Sequence, residues 1–217
     1  MVLAMMSLLL DEVALAALRL ADAGVESPRA DAELIAASVH NVRRGELHTV
    51  PDSEFDARFW AEIARRAARE PLQHITGSAH FRYLELDVGP GVFVPRRRTE
   101  VVVRAAVALA ERGSVVLDLC CGTGAVGAAI AHAAEGVELY ASDIDPVAVS
   151  CARRNVAARG GEVFEGDLYE ALPVSLRGRV GLLVVNAPYV PTDAIALMPP
   201  EARVHEPRVT LDGGADG

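Results

Sequence analysis

The chain has 217 residues, of which 51% are hydrophobic, so it can bury the core of one large or two small domains without disulfides. Its three cysteines include an adjacent pair and show no metal-binding spacing, which predicts a reducing, cytoplasmic location. A formal net charge of −9 argues against a protein that holds nucleic acid through its phosphates.

The first seventy or so residues predict a small helical bundle. The apolar opening, 1–10, is too short to span a bilayer and precedes two acids, so it is expected to form the first turns of a packed helix. Ser27-Pro28 predicts the start of a second helix, reaching about residue 44, and a third is expected from about 53 to 69. The predicted apolar faces consist of Leu8, Leu9, Val13, Leu15, Leu18, Leu20, Ala32, Ile35, Ala36, Val39, Phe55, Phe59, Trp60 and Ile63.

Beyond residue 71 the hydrophobic period becomes that of strands. Residues 81–88 alternate apolar and polar, and Gly89-Pro90-Gly91 precedes a short return at 92–94, which together predict a hairpin. Strands and helices then alternate, as in a parallel, doubly wound sheet. The predicted strands lie at 115–119, 137–141, 162–164 and 182–185, the last of them buried, with helices beginning at Gly124 and Pro146.

A glycine-rich turn follows the first parallel strand. The segment Asp118-Leu119-Cys120-Cys121-Gly122-Thr123-Gly124 ends a strand and opens a helix, and its glycines permit close approach of a ligand to the backbone. It has no Gly-Lys-Ser/Thr sequence, which excludes a P-loop, and it also fails the dinucleotide fingerprint. Several nucleotide-binding families share such a turn, so by itself it selects none of them.

Acidic residues stand at the ends of the next two strands. Asp143 can accept hydrogen bonds from both hydroxyls of a ribose, and Asp167 suits an exocyclic amine. Asp145 is expected instead to cap the helix at Pro146. Because parallel strands end at one edge of a sheet, Asp118, Asp143 and Asp167 are expected to converge on one ligand.

The last predicted strand ends in Asn186-Ala187-Pro188-Tyr189. Asn186 offers an amide oxygen and two N–H donors, and Pro188 favours an extended Ala187 whose carbonyl is available to accept. Tyr189 supplies a flat face. The four residues could hold an sp² nitrogen by both its hydrogens, or could simply form a strand-ending turn. Their place one strand beyond the acidic tips favours the functional interpretation.

Taken in order, these motifs resemble a known family. The sheet half resembles class I S-adenosylmethionine-dependent methyltransferases, and the whole chain resembles the protein-(glutamine-N5) methyltransferases that modify peptide chain release factors. Further matching segments are 29–33, 71–77 with Phe81, 94–100 and 206–217. The resemblance implies an α/β fold with a helical substrate-recognition bundle at 1–75, a β-hairpin linker at 76–98 and a Rossmann-like methyltransferase domain at 99–217.

The resemblance also implies a reaction and its residues. The chain would transfer a methyl group from S-adenosylmethionine to the side-chain amide nitrogen of a protein glutamine, with a release factor as the expected target. The Asn186 side chain and the Ala187 carbonyl would accept the amide hydrogens, with Pro188 and Tyr189 completing the catalytic set. The cofactor would be held by Asp118, Cys120, Cys121, Gly122, Thr123, Gly124, Asp143, Asp167, Leu168 and Asn186. No metal, membrane or direct nucleic-acid partner is expected, and the resemblance does not fix the oligomeric state.

Some positions depart from the family's usual pattern. Ala187 replaces a proline, and Cys120 and Cys121 replace small Gly and Thr residues. Leu168 stands where some members carry an aromatic residue, and Arg98 where an acidic residue is frequent. Ala187 leaves open a glutamine in another protein as the target. An incomplete catalytic edge would leave a cofactor-binding module without turnover, and N6-adenine methyltransferases use a closely similar Asn/Asp-Pro-Pro-Tyr motif, although the negative charge argues against them.

The family's sheet has seven strands, whereas this chain ends at Gly217. Strand 182–185 would then form an exposed apolar edge, so we expect either a fragment that lacks the last strands of the sheet or a partner that covers the edge, and we favour the fragment.

Overall fold

The computed structural model of the chain describes residues 2–50 and 57–217, with side chains over 12–50 and 57–217. It divides into two compact units, and the boundary along the chain falls between Thr76 and Gly77. Within the described residues, no helix combines the length and the apolar character that crossing a membrane requires.

The first unit is helical, as predicted. Its helices are α1 (Val2–Asp22), α2 (Pro28–Val39), α3 (Ala57–Ala67) and α4 (Leu72–Thr76), with a 3₁₀ helix at Arg44–Thr49. The core side chains of this unit are Val13, Ala16, Leu20, Val25, Ala32, Ile35, Ala36, Phe59 and Ile63. An ion pair between Asp31 and Arg66, with Oδ2 and Nε 2.8 Å apart, ties α2 to α3; both residues are buried.

Two details of the predicted bundle are wrong. Leu15 and Leu18 are 56% and 64% exposed, because the buried stripe of α1 follows Val13, Ala16 and Leu20 at helical spacing and leaves these two leucines on another side. Helix α2 ends at Val39 rather than near residue 44, where the chain forms a separate 3₁₀ helix. The predicted contributions of Leu8, Leu9, Ser53 and Phe55 lie outside the described side chains.

The second unit begins with an antiparallel hairpin that differs from the predicted one. Strands β1 (Ser78–Phe81) and β2 (Leu84–Asp87) pair with Ser78 opposite Asp87, and the turn falls at 82–83. The prediction of one strand over 81–88 with a turn at 89–91 is therefore wrong. A two-residue hairpin turn needs a positive φ, which Arg82 supplies at 53° without the usual Gly or Asn signal.

The parallel sheet is confirmed, with the order β5-β4-β3-β6. Its strands are β3 (Val115–Leu119), β4 (Glu138–Asp143), β5 (Glu162–Glu165) and β6 (Val180–Val185). Helices α6 (Ala125–Ala133) and α7 (Pro146–Ala157) connect β3 to β4 and β4 to β5, while α5 (Glu100–Leu109) precedes the sheet and α8 (Pro200–His205) follows it. Asp118 pairs in register with Ala141 on β4 and with Val184 on β6, so these three strands end at the same edge.

Strand β6 is only partly buried, which corrects the prediction of a buried strand. Val184 is buried, but Leu183 and Val185 are 43% and 41% exposed. Among the described residues β6 pairs with β3 alone and forms an edge of the sheet, so one of its two hydrogen-bonding sides has no partner strand there.

Candidate functional site

A cavity of about 320 Å³ lies at the carboxyl ends of the parallel strands. Most of the site residues predicted from the sequence line it, and they come from four separate strand ends. These are Asp118, Cys120, Cys121, Gly122, Thr123, Asp143, Asp167, Leu168, Asn186 and Pro188. Gly124, Ala187 and Tyr189 do not line the cavity, but each is next in sequence to a residue that does.

The cavity wall also contains residues that the sequence did not assign to the site. They are Phe81, Phe93, Pro95, Arg96, Thr99, Ala125, Val126, Ser142, Ile144, Gly166, Val209, Thr210 and Asp212. Several fall in the segments 94–100 and 206–217 that carry the family resemblance. The sequence signal that could have assigned these residues to the site was the family motif in each segment. The hydrophobic periodicity of the chain does not show that these segments lie beside the strand ends.

Asp143 organises the glycine-rich turn. Its Oδ2 accepts the Gly122 N–H at 2.8 Å, and its Oδ1 accepts the Asp145 N–H at 3.0 Å. Each carboxylate oxygen keeps a second lone pair for a ligand. Asp145 in turn accepts the Val147 N–H at 2.8 Å, which confirms its predicted role as the cap of α7.

Asp118 lies beneath the same turn and is buried. Its Oδ2 accepts the Gly127 N–H at 2.7 Å. Burial raises the pKa of Asp118 to about 7, with a smaller contribution from Asp143 and against the effect of the Gly127 hydrogen bond. At neutral pH the Asp118 carboxyl is thus only partly ionised, and a cationic ligand would favour its ionised form.

Side chains of helix α7 pack against the glycine-rich turn and hold it in place. Gly124 caps α6 at φ 73°, and a Cβ there would stand 2.8 Å from a methyl group of Val156, so only glycine permits this approach. The Asn155 amide nitrogen donates to the carbonyls of Thr123 and Asp87, both at 2.9 Å. Its oxygen accepts the Asp87 N–H at 2.8 Å. One buried side chain therefore links the turn to the hairpin.

Two cavity residues adopt left-handed backbone conformations without being glycine. Cys120 has φ 55° and Leu168 has φ 45°. Such conformations cost about 1–2 kcal/mol each and gather at functional sites. Burial, followed by the charges of Asp143, Asp118 and Asp167, raises the pKa of the Cys120 thiol, which keeps it in the neutral form.

The loop after β6 is held by the end of the chain. The Val190 N–H donates to the Leu211 carbonyl at 3.0 Å, and the Gly213 N–H donates to the Val190 carbonyl at 2.9 Å. A Cβ on Gly213 would lie 2.9 Å from the Tyr189 Cα, so the two segments pack backbone to backbone. This fixes the main chain of the Asn186-Ala187-Pro188-Tyr189 segment next to the cavity.

Asp212 secures that packing. The Thr192 hydroxyl donates to its Oδ1 at 2.6 Å, and the Arg208 Nε donates to its Oδ2 at 2.9 Å. The Gly214 N–H adds a third bond at 3.0 Å. These partners, the Thr192 hydroxyl first, lower the pKa of Asp212 to about 2.

A charge pair between the half-buried Arg96 and the buried Glu206 joins two segments of the cavity wall. The Arg96 Nη2 lies 2.7 and 2.6 Å from the two oxygens of Glu206, and the Val94 N–H donates to Glu206 at 3.0 Å. The Glu206 side chain has no exposed surface, and the Arg96 guanidinium stands 4.8 Å from the centre of the Phe93 ring. Burial raises the pKa of Glu206, while Arg96 opposes the rise.

The chain is similar to known proteins over nearly its whole length. Residues 13–77 match the family model of the PrmC N-terminal domain, and residues 81–211 match that of the methyltransferase small domain. The release factor glutamine methyltransferase of Streptomyces coelicolor is 51% identical over 216 residues, covering 98% of this chain and 76% of that protein. The chain belongs to the release factor glutamine methyltransferase family.

Two further relatives are similar over most of the chain. The release factor glutamine methyltransferase of Mycolicibacterium smegmatis is 45% identical, with 91% of this chain and 71% of that protein covered. A Streptomyces pristinaespiralis protein named 4-amino-L-phenylalanine/4-methylamino-L-phenylalanine methyltransferase is 36% identical, with 92% and 70% covered. The predicted family, its methyltransferase class and the α/β fold class are thereby confirmed.

Proposed function

We propose that the chain transfers a methyl group from S-adenosylmethionine to the side-chain amide nitrogen of a glutamine in a peptide chain release factor. The observation that carries this is the cavity in which three acidic strand tips meet Asn186 and Pro188. The names of the Streptomyces coelicolor and Mycolicibacterium smegmatis relatives support the choice of substrate.

The cavity residues fit the proposed cofactor. Asp118, Asp143 and Asp167 give the cavity an acidic character suited to a cationic nucleoside with a ribose diol. A Cβ added to Gly122 would meet nothing within 4 Å, so the backbone there faces open space that a ligand can occupy. S-adenosylmethionine supplies an electrophilic methyl group carried on a positively charged sulfur.

The residues of the loop after β6 orient the glutamine. The Asn186 side-chain oxygen and the Ala187 carbonyl accept the two amide hydrogens, and the Tyr189 ring lies against the amide plane. The Asn186 side chain makes no hydrogen bond to the described residues, so its amide is available for this task. Catalysis then rests on positioning, an effect that reaches about 7–11 kcal/mol in well-oriented systems. No side-chain nucleophile is required.

Each region of the chain has its own part in this function. Residues 1–75 recognise the release factor. Residues 76–98 link the regions and contribute Phe81, Phe93, Pro95 and Arg96 to the cavity wall, and residues 99–217 supply the rest of the cofactor site and the catalytic loop. The protein acts in the cytoplasm, where release factors work, without direct contact to nucleic acid or membrane. The net charge of −9 supports the exclusion of nucleic acid and disfavours an N6-adenine substrate.

A second candidate is methylation of an aromatic amine. The Streptomyces pristinaespiralis relative carries such a function in its name, and Phe81 and Phe93 in the cavity wall could hold an aromatic ring. The lower identity of that relative, 36% against 51%, favours the release factor.

Replacement of Asn186 by alanine tests the proposed catalytic loop. We expect Asn186→Ala to abolish methyl transfer to the release factor while the affinity for S-adenosylmethionine, measured by calorimetry, stays within about twofold of the parent. The reason is that Asn186 holds the substrate amide, whereas most cofactor contacts come from the other nine residues assigned to it, among them the three acidic strand tips. Unimpaired turnover in this variant would contradict the assignment.

Asn155 provides a matched control. Its side chain makes three hydrogen bonds to backbone groups and a fourth to the Cys151 sulfur, whereas that of Asn186 makes none to the described residues. Asn155→Ala should therefore lower the melting temperature, by an amount equivalent to about 2 kcal/mol of unfolding free energy, and Asn186→Ala should not. A similar loss of stability in both variants would show that Asn186 is structural.

A further inference from the structure

The hydroxyl of Tyr189 is held by a cation from a distant part of the chain. The Arg98 Nη2 donates to the Tyr189 Oη at 2.9 Å, across 91 residues of sequence. Tyr189 is 54% exposed, so packing alone does not immobilise its ring. The bond therefore supplies a restraint at the end of the ring opposite its backbone.

Both ends of this bond are anchored. The Thr99 N–H donates to the Arg96 carbonyl at 2.9 Å, which forms the one-turn 3₁₀ helix Arg97–Thr99 that carries Arg98. Arg96 is itself fixed by the buried Glu206. On the other side, the close approach of Gly213 holds the Tyr189 backbone. The guanidinium thus joins two fixed segments, and each of them contributes neighbouring residues, Arg96 and Thr99 on one side and Pro188 on the other, to the cavity wall.

We propose that Arg98 is a positioning residue that holds the Tyr189 ring in the orientation in which it packs on the substrate. This inference rests on the proposed function of the site and deepens it. Arg98 acts through the tyrosine hydroxyl and does not touch the reacting atoms. Loss of the bond leaves the ring free to rotate away, which lowers the fraction of productively bound substrate.

A double-mutant cycle tests the proposal on the full chain. Arg98→Met and Tyr189→Phe each remove one partner of the bond, so each should lower kcat/KM for the release factor by about 3- to 10-fold, the range expected for one hydrogen bond. The double variant should lose no more than either single variant. Affinity for S-adenosylmethionine should stay within about twofold in all three variants, since neither Arg98 nor Tyr189 lines the cavity.

The neighbouring Arg97 supplies the control for charge. It is exposed like Arg98 and lies in the same turn, so Arg97→Met removes the same charge and leaves the bond intact. Its kcat/KM should equal that of the parent. Equal losses in the Arg97 and Arg98 variants, or losses in Arg98→Met and Tyr189→Phe that multiply in the double variant, overturn the proposal.

A second measurement does not depend on turnover. The chain has four tyrosines, and Tyr189→Phe identifies the Tyr189 signal in spectra of protein labelled with ¹³C at the tyrosine ring. Arg98→Met should shift that signal and Arg97→Met should not. An unmoved Tyr189 signal in Arg98→Met refutes the bond itself. If Arg98→Met shifts the Tyr189 signal but the parent protein transfers no methyl group, the bond exists and the proposed function is refuted, together with the positioning role.

Discussion

At the scale of single residues, Asp118 couples the cavity to pH. Its pKa is raised to about 7 from an ordinary value of 3.8. Between these values the folded protein retains a proton that the unfolded chain has lost, so this carboxyl contributes stability at low pH that is lost as pH rises through 7. A cationic ligand reverses the preference, because it binds the ionised carboxylate better.

The affinity for S-adenosylmethionine should therefore rise with pH. We expect an increase of roughly tenfold between pH 5.5 and pH 7.5 and a plateau above that, measured by calorimetry in buffers of matched ionic strength. Asp118→Asn keeps an oxygen for the Gly127 N–H and removes the titrating group, so its affinity should be weaker and nearly flat over this range. A flat profile in the parent would contradict the role given to Asp118.

Because Cys120 has a left-handed backbone and Cys121 does not, replacing each by glycine should change the free energy of unfolding in opposite directions. Cys120→Gly relieves a positive φ and should raise the free energy of unfolding by about 0.5 kcal/mol, the strain relieved less the added backbone entropy of glycine. Cys121 is buried and has no positive φ, so Cys121→Gly should lower it by at least about 1 kcal/mol. Chemical denaturation of both variants, without cofactor, measures the difference. Destabilisation by Cys120→Gly would show that the thiol matters more than the strain.

At the scale of elements, the pair Arg96–Glu206 is expected to hold two walls of the cavity together. Arg96→Met leaves a buried carboxyl without its cation, which should cost about 3 kcal/mol of unfolding free energy at pH 7. The loss should shrink below about pH 5, where the unpaired carboxyl takes up a proton instead. Thermal unfolding at pH 7 and at pH 5 checks both expectations.

The exposed pair Arg154–Asp87 is the control for this experiment. Both side chains are more than half exposed, with Nε and Oδ2 3.0 Å apart. Arg154→Met should therefore cost no more than about 1 kcal/mol and show little dependence on pH. If the two arginine variants lose equal stability, Glu206 is not the anchor that its burial indicates.

Some of these structural elements could be predicted from the sequence, and others could not. The parallel strands and their acidic tips were predictable because a strand that feeds a glycine-rich turn and a helix leaves a local pattern around Asp118 and Asp143. The hairpin was not, because its turn at Arg82 carries no glycine or asparagine and the real β1 precedes the alternating run. The walls around Phe93 and Thr210 depend on the charge pair Arg96–Glu206, which joins residues 110 positions apart and has no local signature.

At the scale of the whole molecule, two compact units correspond closely to the two matching family models. Residues 13–77 match one model within the helical unit, and residues 81–211 match the other within the unit that contains the sheet and the cavity. Every residue that lines the cavity belongs to the second unit. The proposed chemistry is thus contained in one unit, and recognition of the release factor is proposed for the other.

Mass spectrometry of a release factor after incubation with this protein and S-adenosylmethionine tests the central claim most directly. We predict the gain of one methyl group on the side chain of one glutamine, absent when the Asn186→Ala variant replaces the parent. A release factor that stays unmodified, while 4-amino-L-phenylalanine becomes methylated under the same conditions, would contradict the account.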